Sequence, residues 1–143
     1  MCGIIGISSN KSVSANIINS LKKLEYRGYD SAGVATLFDG EINEVKSEGR
    51  VDNLEQNFDL KSLKGNIGIG HVRWATHGVP NSINAHPHSS DNVSVVHNGI
   101  IENSTILKKL LINKGHTFKS QTDTEVIVHL ITENLKIMEQ IGR

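Results

Sequence analysis

This sequence has few cysteines, which cross-link a chain, and no excess of either charge, which would attract charged partners. It contains one cysteine and two prolines in 143 residues, so an internal disulfide is excluded and a reducing compartment is indicated. Lys and Arg together number 15, as do Asp and Glu, which gives a formal net charge of zero. This balance removes the sequence-wide electrostatic argument for nucleic acid or an anionic membrane as a partner.

Long hydrophobic runs are also missing. No apolar run approaches the ~20 residues needed to span a bilayer, and the first residues lack the basic and apolar regions of a secretion signal. We therefore expect a cytoplasmic protein with no membrane partner. With 143 residues, 37% of them hydrophobic, the chain is long enough for one domain with an ordinary core.

The single cysteine stands directly after the first methionine. Removal of Met1 would leave Cys2 with both a thiol and a free α-amine, and an α-amine with an ordinary pKa of about 8 is a usable base near neutral pH. Gly3 and Gly6 would allow close backbone approach at the end of an Ile-rich strand. However, a lone cysteine is more often an inert packing residue, and its position alone leaves both interpretations open.

Hydrophobic spacing predicts a mixture of strands and helices. The predicted strands cover residues 1–7, 34–38, 41–45, 65–73 and 92–97. Asp39-Gly40 between two of them is a hairpin signal, which favours antiparallel pairing. The predicted helices begin at Ser12 as N-cap, at Asn103, and at a capping box over residues 122–125. The first of them carries an apolar face that should pack on a sheet, formed by Val13, Ile17, Ile18, Leu21 and Leu24.

Three stretches lack a clear period. Residues 26–33 are polar and Gly-rich and predict a loop between helix and strand. Residues 50–64 are typical of a short surface helix or its loop. Residues 74–88 predict a long loop of the kind that often carries function.

Six motifs in this sequence resemble a known family. They are Met-Cys-Gly-Ile-Ile-Gly at 1–6, Glu-Tyr-Arg-Gly-Tyr-Asp-Ser-Ala-Gly at 25–33, Gly-His-Val-Arg-Trp-Ala-Thr-His-Gly at 70–78, Asn-Ala-His-Pro-His at 84–88, Val-His-Asn-Gly-Ile-Ile-Glu-Asn at 96–103 and Thr-Asp-Thr-Glu-Val at 122–126. With them the chain resembles the glutaminase domain of class II glutamine amidotransferases, which are N-terminal nucleophile hydrolases. The Trp-Ala-Thr-His and His-Pro-His segments favour the sugar-phosphate branch of that family.

The resemblance implies a fold and an activity. The fold is α+β, a four-layer αββα sandwich of two antiparallel sheets. The activity is hydrolysis of L-glutamine to L-glutamate and ammonia, without a metal or organic cofactor. In complete enzymes of the sugar-phosphate branch, the ammonia converts fructose 6-phosphate to glucosamine 6-phosphate through sugar-isomerase domains. We expect residues 1–143 to be the N-terminal portion of the glutaminase domain, incomplete at its C-terminus, with those isomerase domains absent, and the full enzyme to be a homo-oligomer.

The resemblance also implies the residues of the reaction centre. Cys2 would be the nucleophile that forms a thioester, with its own α-amine moving the protons. The side-chain amide of Asn98 and the backbone N–H of Gly99 would form the oxyanion hole. A plain turn is the alternative interpretation of Asn98-Gly99.

Substrate-binding residues follow from the same motifs. Arg73 would bind the α-carboxylate of glutamine bidentately, helped by Thr76 and the backbone of His77; its alternative is a solvated surface arginine. Asp123 would bind the α-ammonium group, and a helix N-cap is its alternative.

Three further residues are expected beside these. Trp74 resembles the loop residue that covers the site and controls the passage of ammonia, and a packing aromatic is its alternative. Arg27 and Asp30 are expected to order the Cys2 end of the site.

Two rival functions remain open on the sequence. Imidazole is the commonest metal ligand, which raises a zinc hydrolase, but the spacings match no standard zinc pattern. The histidines concerned are His71, His77, His86, His88 and His97. A truncated, non-catalytic module that binds glutamine is the other alternative.

Overall fold

Four strands form the larger of two antiparallel sheets in the computed structural model, which describes residues 1–76 and 78–142. In chain order these strands are β1 (Gly3–Ser8), β2 (Ser31–Phe38), β3 (Glu41–Glu48) and β4 (Ile67–Arg73). They lie in the order β1-β4-β2-β3, so β4 inserts between β1 and β2. The hairpin predicted at Asp39-Gly40 is confirmed, with Phe38 opposite Glu41.

The second sheet has two short strands. β5 (His88–Ser90) pairs with β6 (Val93–Val95), and His88 lies opposite Val95. This sheet faces the larger one, because Lys46 Nζ on β3 donates to the carbonyl oxygen of Pro87 over 3.2 Å. Ser89 Oγ likewise donates to Glu44 Oε2.

Four α-helices within residues 1–76 and 78–142 complete the layers. They are α1 (Ser14–Leu24), α2 (Asp52–Asn57), α3 (Ser104–Asn113) and α4 (Glu125–Ile141). α1 packs on β1, β4 and β2, whereas α4 packs on β5 and β6. The layers are therefore helix, sheet, sheet, helix, and the predicted α+β sandwich of two antiparallel sheets is confirmed.

The main core lies between α1 and the larger sheet. The predicted apolar face of α1 is buried: Ile17 and Leu21 are 0% exposed and Ile18 is 2% exposed. They pack with Val34 and Val72 of the sheet, and fully burying an Ile or Leu side chain contributes about 1.5–3 kcal/mol. This packing holds β4 in the middle of the sheet, and the end of β4 carries Arg73.

Some predicted boundaries are wrong. Val13, not Ser12, occupies the N-cap position of α1, and no side chain caps it. β2 begins at Ser31, inside the predicted loop. Its small residues suit a buried strand, because a Cβ at Gly33 would collide with the backbone carbonyl of His86.

The predicted capping box before α4 is also wrong. The helix begins at Glu125, with Thr124 in the N-cap position and no side-chain cap. The carboxylate of Glu125 instead accepts the backbone N–H groups of Lys119 over 2.8 Å and Ser120 over 2.7 Å. Glu125 thus ties the preceding loop to the helix.

No helix within residues 1–76 and 78–142 is long and apolar enough to cross a membrane.

Candidate active site

One cavity of about 300 Å³ brings most of the predicted site residues together. Those that line it are Cys2, Arg27, Arg73, Trp74, Thr76, Asn98, Gly99 and Asp123. They come from the start of β1, the segment after α1, the end of β4 with the residues that follow it, the segment after β6 and the segment before α4. Asp30 is not in this lining, and His77 lies outside the described residues.

The sulfur of Cys2 is held against the backbone of Trp74. The backbone N–H of Trp74 donates to Cys2 Sγ over 3.2 Å, and the thiol lies 3.5 Å from the Trp74 carbonyl oxygen. These two contacts fix the position of the sulfur. Strand register produces this contact, because Gly3 on β1 lies opposite Val72 on β4.

The segment after α1 supports both partners of that contact. Arg27 Nε donates to the carbonyl oxygen of Cys2 over 2.9 Å. A Cβ on Gly28 would lie 2.6 Å from the Arg73 carbonyl carbon and 2.7 Å from the Trp74 nitrogen. Only glycine therefore lets this segment lie against the backbone that holds Cys2.

Asp30 orders the chain just beyond β4 rather than Cys2 itself. Its carboxylate accepts the backbone N–H of Ala75 over 2.7 Å, and its own N–H donates to the Arg73 carbonyl over 3.0 Å. Its effect on Cys2 is transmitted through residues 73–75.

A buried cation lines one part of the cavity. Arg73 is 4% exposed, and its guanidinium donates to the carbonyl oxygens of Gly78 and Val79, each over 3.3 Å. Burial lowers the pKa of Arg73, while the neighbouring Cys2, Asp30 and Asp123 oppose that shift. A guanidinium stays protonated at neutral pH, so Arg73 is a buried positive charge. Because Arg73 is buried, the alternative of a solvated surface arginine is wrong.

An anion lines the same cavity. Asp123 Oδ2 accepts the backbone N–H of Ile101 over 2.6 Å, which holds the segment after Gly99. α4 begins two residues later without a side-chain cap, so the N-cap alternative for Asp123 is wrong. The cavity therefore presents both charges that a free amino acid requires.

Two histidines lie against Asn98 and Gly99. Asn98 Oδ1 lies 2.8 Å from His71 Nε2, and a Cβ on Gly99 would lie 2.7 Å from His97 Nε2. The ring of His97 is in turn held by Thr124, whose Oγ1 is 3.1 Å from His97 Nδ1. These contacts go beyond what a plain turn would need.

The side chain of Trp74 is half exposed. Its ring meets the edge of the Tyr29 ring at a centroid distance of 6.3 Å. The guanidinium of Arg50 lies over the Tyr29 ring, with Cζ 5.4 Å from the ring centroid. Trp74 thus contributes backbone groups to Cys2 and an aromatic side chain to the mouth of the cavity.

Three buried histidines stand in a row, and two of them, His71 and His86, line the cavity. The rings of His71 and His86 stack at 4.3 Å, and those of His86 and His88 lie 4.8 Å apart. Burial lowers the pKa of His71 and of His88 to about 4, and that of His86 still further. All three are neutral at pH 7.

The zinc hypothesis has little geometric support. His88 Nε2 bonds Thr122 Oγ1 over 2.7 Å, and His71 and His97 also have side-chain partners. Within the described residues, which exclude His77, no three His, Cys, Asp or Glu side chains form a cluster that could hold a metal ion.

Several residues that line the cavity have no reaction or substrate-binding role predicted from the sequence. They are Met1, His71, His86, His97, Ile100, Thr122 and Thr124. All of the polar ones stand inside the recognised motifs, but the histidines were interpreted only as possible metal ligands. Each of these histidines stands in the same motif as other residues that line the cavity or border such residues, and this proximity could have indicated that it lies near the cavity.

The sequence of the chain matches a known family over more than half its length. The family described as "Glutamine amidotransferase domain" matches residues 58–139. The chain therefore belongs to the glutamine amidotransferase family, which confirms the resemblance carried by the motifs.

Particular relatives are named glutamine–fructose-6-phosphate aminotransferase (isomerizing). The protein from Bartonella henselae is 54% identical over 136 residues, 95% of this chain and 22% of that protein. The one from Pyrococcus horikoshii is 56% identical over 139 residues, 96% of this chain and 23% of that protein. The one from Clostridium acetobutylicum is 59% identical over 133 residues, 92% of this chain and 22% of that protein. The chain thus spans about a fifth of the length of these curated relatives.

Solved structures share the fold. The glutamine phosphoribosylpyrophosphate amidotransferase of B. subtilis, in complex with ADP and GMP, has a TM-score of 0.77 and 34% identity, covering 92% of this chain and 29% of that chain. A structure described as the allosteric regulatory enzyme of purine biosynthesis has a TM-score of 0.78 and 34% identity, with the same coverage.

Proposed function

We propose that this chain is a glutaminase unit that hydrolyses L-glutamine through Cys2 after Met1 has been removed. The observation that carries the proposal is a cavity lined by a thiol, a buried guanidinium and a carboxylate. A free amino acid with an amide side chain matches these three groups. Membership of the glutamine amidotransferase family supports the same substrate.

The first half of the reaction forms a thioester. The α-amine of Cys2 takes the thiol proton, and sulfur bonds to the carbon of the glutamine side-chain amide. Negative charge then develops on the amide oxygen, beside Asn98 and Gly99. The carbon–nitrogen bond breaks, and ammonia leaves with the proton from the α-amine.

The second half restores the enzyme. A water molecule gives one proton to the α-amine and adds to the thioester carbon. The sulfur–carbon bond then breaks, L-glutamate leaves, and the thiol regains its proton. No step requires a metal ion or an organic cofactor.

Binding energy in this proposal comes from the α-amino acid end of the substrate. Arg73 binds the α-carboxylate, Thr76 and the backbone of His77 extend that grip, and Asp123 binds the α-ammonium group. Arg27 and Asp30 are positioning residues for Cys2 and for the chain after Arg73. Trp74 borders the mouth and controls the passage of ammonia.

The fate of the ammonia belongs to the same proposal. In a full-length protein like the named relatives, we propose that ammonia converts fructose 6-phosphate to glucosamine 6-phosphate through isomerase domains. We expect such an enzyme to be a homo-oligomer. A cytoplasmic location is proposed because the mechanism needs Cys2 as a reduced thiol.

A non-catalytic glutamine-binding module is the second candidate. The observation in its favour is that Met1 lines the cavity while its peptide bond occupies the nitrogen of Cys2. That nitrogen has no basic lone pair until Met1 is removed.

Calorimetry with glutamine and an ammonia-release assay separate the two candidates. We expect the chain without Met1 to bind glutamine and release ammonia at the rate glutamate forms. Binding with no turnover in that form would instead support the module.

A further inference from the structure

Asn98 can present either a donor or an acceptor to the cavity. Its side-chain amide has an oxygen on one side and an NH₂ group on the other. Only the orientation with Nδ2 towards the substrate supplies an oxyanion donor. Whatever holds Asn98 Oδ1 away from the cavity therefore decides whether the oxyanion hole exists.

His71 is the group that contacts Asn98 Oδ1. The distance from Oδ1 to His71 Nε2 is 2.8 Å, within the range for a strong hydrogen bond. An amide oxygen only accepts, so this bond requires the hydrogen on Nε2. If the hydrogen were on Nδ1 instead, Nε2 would accept from Asn98, and the amide would turn its oxygen towards the substrate.

The surroundings of His71 favour the hydrogen on Nε2. The side chain is 0% exposed, and its Nδ1 has no hydrogen-bond partner within the described residues. A buried N–H without a partner is rarer in proteins than a buried acceptor without one. The tautomer that leaves Nδ1 bare and uses Nε2–H is thus the less costly one.

His86 holds the ring of His71 and the backbone beside Asn98. It stacks on His71 with an angle of 20° between the rings. Its Nδ1 accepts the backbone N–H of His97, which immediately precedes Asn98, over 3.4 Å. The ring of His71 cannot rotate away without losing this stack.

We propose that His71 is a positioning residue for the oxyanion hole: its Nε2–H holds Asn98 Oδ1, so that Asn98 Nδ2 faces the reacting amide oxygen of glutamine. The proposal rests on the proposed glutaminase function for its catalytic consequence. His71 does not touch the substrate in this role. It acts by selecting one of the two orientations of Asn98.

A pair of substitutions tests this role in the chain without Met1. His71→Leu removes the donor, whereas His71→Gln keeps an N–H at a similar distance from the backbone. We expect His71→Leu to lower kcat for ammonia release about 100-fold, the usual effect of losing one oxyanion donor, with KM changed less than about threefold. The kcat of His71→Gln should be at least tenfold higher than that of His71→Leu. His129→Leu, at a buried histidine elsewhere, is the matched control and should retain kcat.

An aldehyde analogue separates positioning from general damage. L-Glutamate γ-semialdehyde adds to the Cys2 thiol and places a tetrahedral oxygen where the oxyanion forms, whereas L-glutamate only occupies the binding site. His71→Leu should weaken the aldehyde about 100-fold and glutamate by less than about threefold. Equal weakening of both ligands, or no advantage of Gln over Leu, would overturn the proposal.

Nitrogen NMR of uniformly ¹⁵N-labelled protein gives a readout that does not depend on activity. We expect the neutral ring of His71 to carry its hydrogen on Nε2 at pH 7. A hydrogen on Nδ1 would overturn the proposal even if the chain turns over glutamine. If ammonia release is absent but the Nε2–H tautomer is found, the glutaminase proposal fails while the orientation of Asn98 stands.

Discussion

The backbone of Trp74 and the sulfur of Cys2 form a two-point contact, with an N–H donor 3.2 Å from the sulfur and a carbonyl oxygen 3.5 Å away. The tryptophan of the Arg-Trp-Ala-Thr motif therefore reaches the proposed nucleophile through atoms that every residue has. The ring of Trp74 instead contacts Tyr29 at the mouth of the cavity. Backbone and side-chain roles at this position can be tested independently.

Replacing Trp74 with alanine should leave Cys2 almost as reactive as before. Trp74→Ala keeps the backbone N–H and removes the edge contact with Tyr29, which is worth about 0.5–1.5 kcal/mol. We expect the rate of Cys2 alkylation by iodoacetamide to change less than about threefold. We expect a full-length enzyme with this substitution to lose more of its ammonia to solvent. A tenfold fall in alkylation rate would mean that the ring itself supports the thiol.

Adding one methyl group at Gly28 should disturb the same contact from behind. The Cβ of Gly28→Ala would lie 2.6–2.7 Å from backbone atoms of Arg73 and Trp74, and such overpacking costs about 1–3 kcal/mol. Urea unfolding should show this loss of stability, and Cys2 alkylation should change with it. Gly6→Ala is the matched control, because its nearest contact would be Ile69 at 4.0 Å. Equal stability of the two variants would contradict the clash.

Arg73 and Asp123 should each recognise one charged group of glutamine. Asp123→Asn keeps an oxygen for the Ile101 N–H but removes the negative charge. We expect this variant to lose about 10- to 100-fold in kcat/KM for glutamine, consistent with about 1.5–3 kcal/mol for a charged hydrogen bond. Glutaramate, which lacks the α-ammonium group, should be used equally by both proteins. An equal loss on glutaramate would show that Asp123 acts only on structure.

Acid should destabilise the chain before its carboxylates titrate. An unfolded histidine binds a proton near its ordinary pKa of 6.5, but folded His71 and His88 do so only near 4, and His86 lower still. Between those values the unfolded state binds more protons, so the stability present above pH 6.5 is lost as pH falls. Each histidine contributes a slope of up to about 1.4 kcal/mol per pH unit.

Urea unfolding at pH 7.5, 6.5, 5.5 and 5.0 measures this loss, and stopping at pH 5 limits the contribution of Glu125, whose pKa is lowered. His88→Gln should reduce the slope, because it removes one titrating ring and keeps a partner for Thr122. A free energy of unfolding that stays constant from pH 7.5 to 5.0 would contradict the neutral, buried state of these rings.

Periodic features of the fold were predictable, whereas features set by distant contacts were not. The spacing of Val13, Ile17 and Leu21 predicted the buried face of α1, since that face depends only on helical geometry. β5 was missed because three residues carry no period, and the strand exists only through pairing with β6. The capping box failed because the Glu125 carboxylate found stronger donors in the preceding loop.

Some features of the candidate site could also be predicted from the sequence, whereas others depend on distant contacts. The roles of Cys2, Arg73 and Asp123 come from the family resemblance and stay predictions, and the structure shows that all three residues line one cavity. The position of Asp30, whose carboxylate accepts the N–H of Ala75, depends on where β2 begins. The His71–Asn98 contact depends on the register of β4 against a loop 27 residues further along the chain, which local patterns do not determine.

Removal of Met1 should switch activity on. With Met1 in place the nitrogen of Cys2 is an amide, which has no basic lone pair, and the Met1 side chain also lines the cavity. We expect the Met1-bearing chain to release no ammonia and to react slowly with a glutamine-like electrophile such as 6-diazo-5-oxo-L-norleucine. Treatment with methionine aminopeptidase, followed by intact mass, should convert it to an active form in proportion to the Met1 removed. Cys2→Ser is the control for labelling at other residues. Equal labelling of both forms would mean that another group takes the thiol proton, and His97, which lines the same cavity, would be the next base to test.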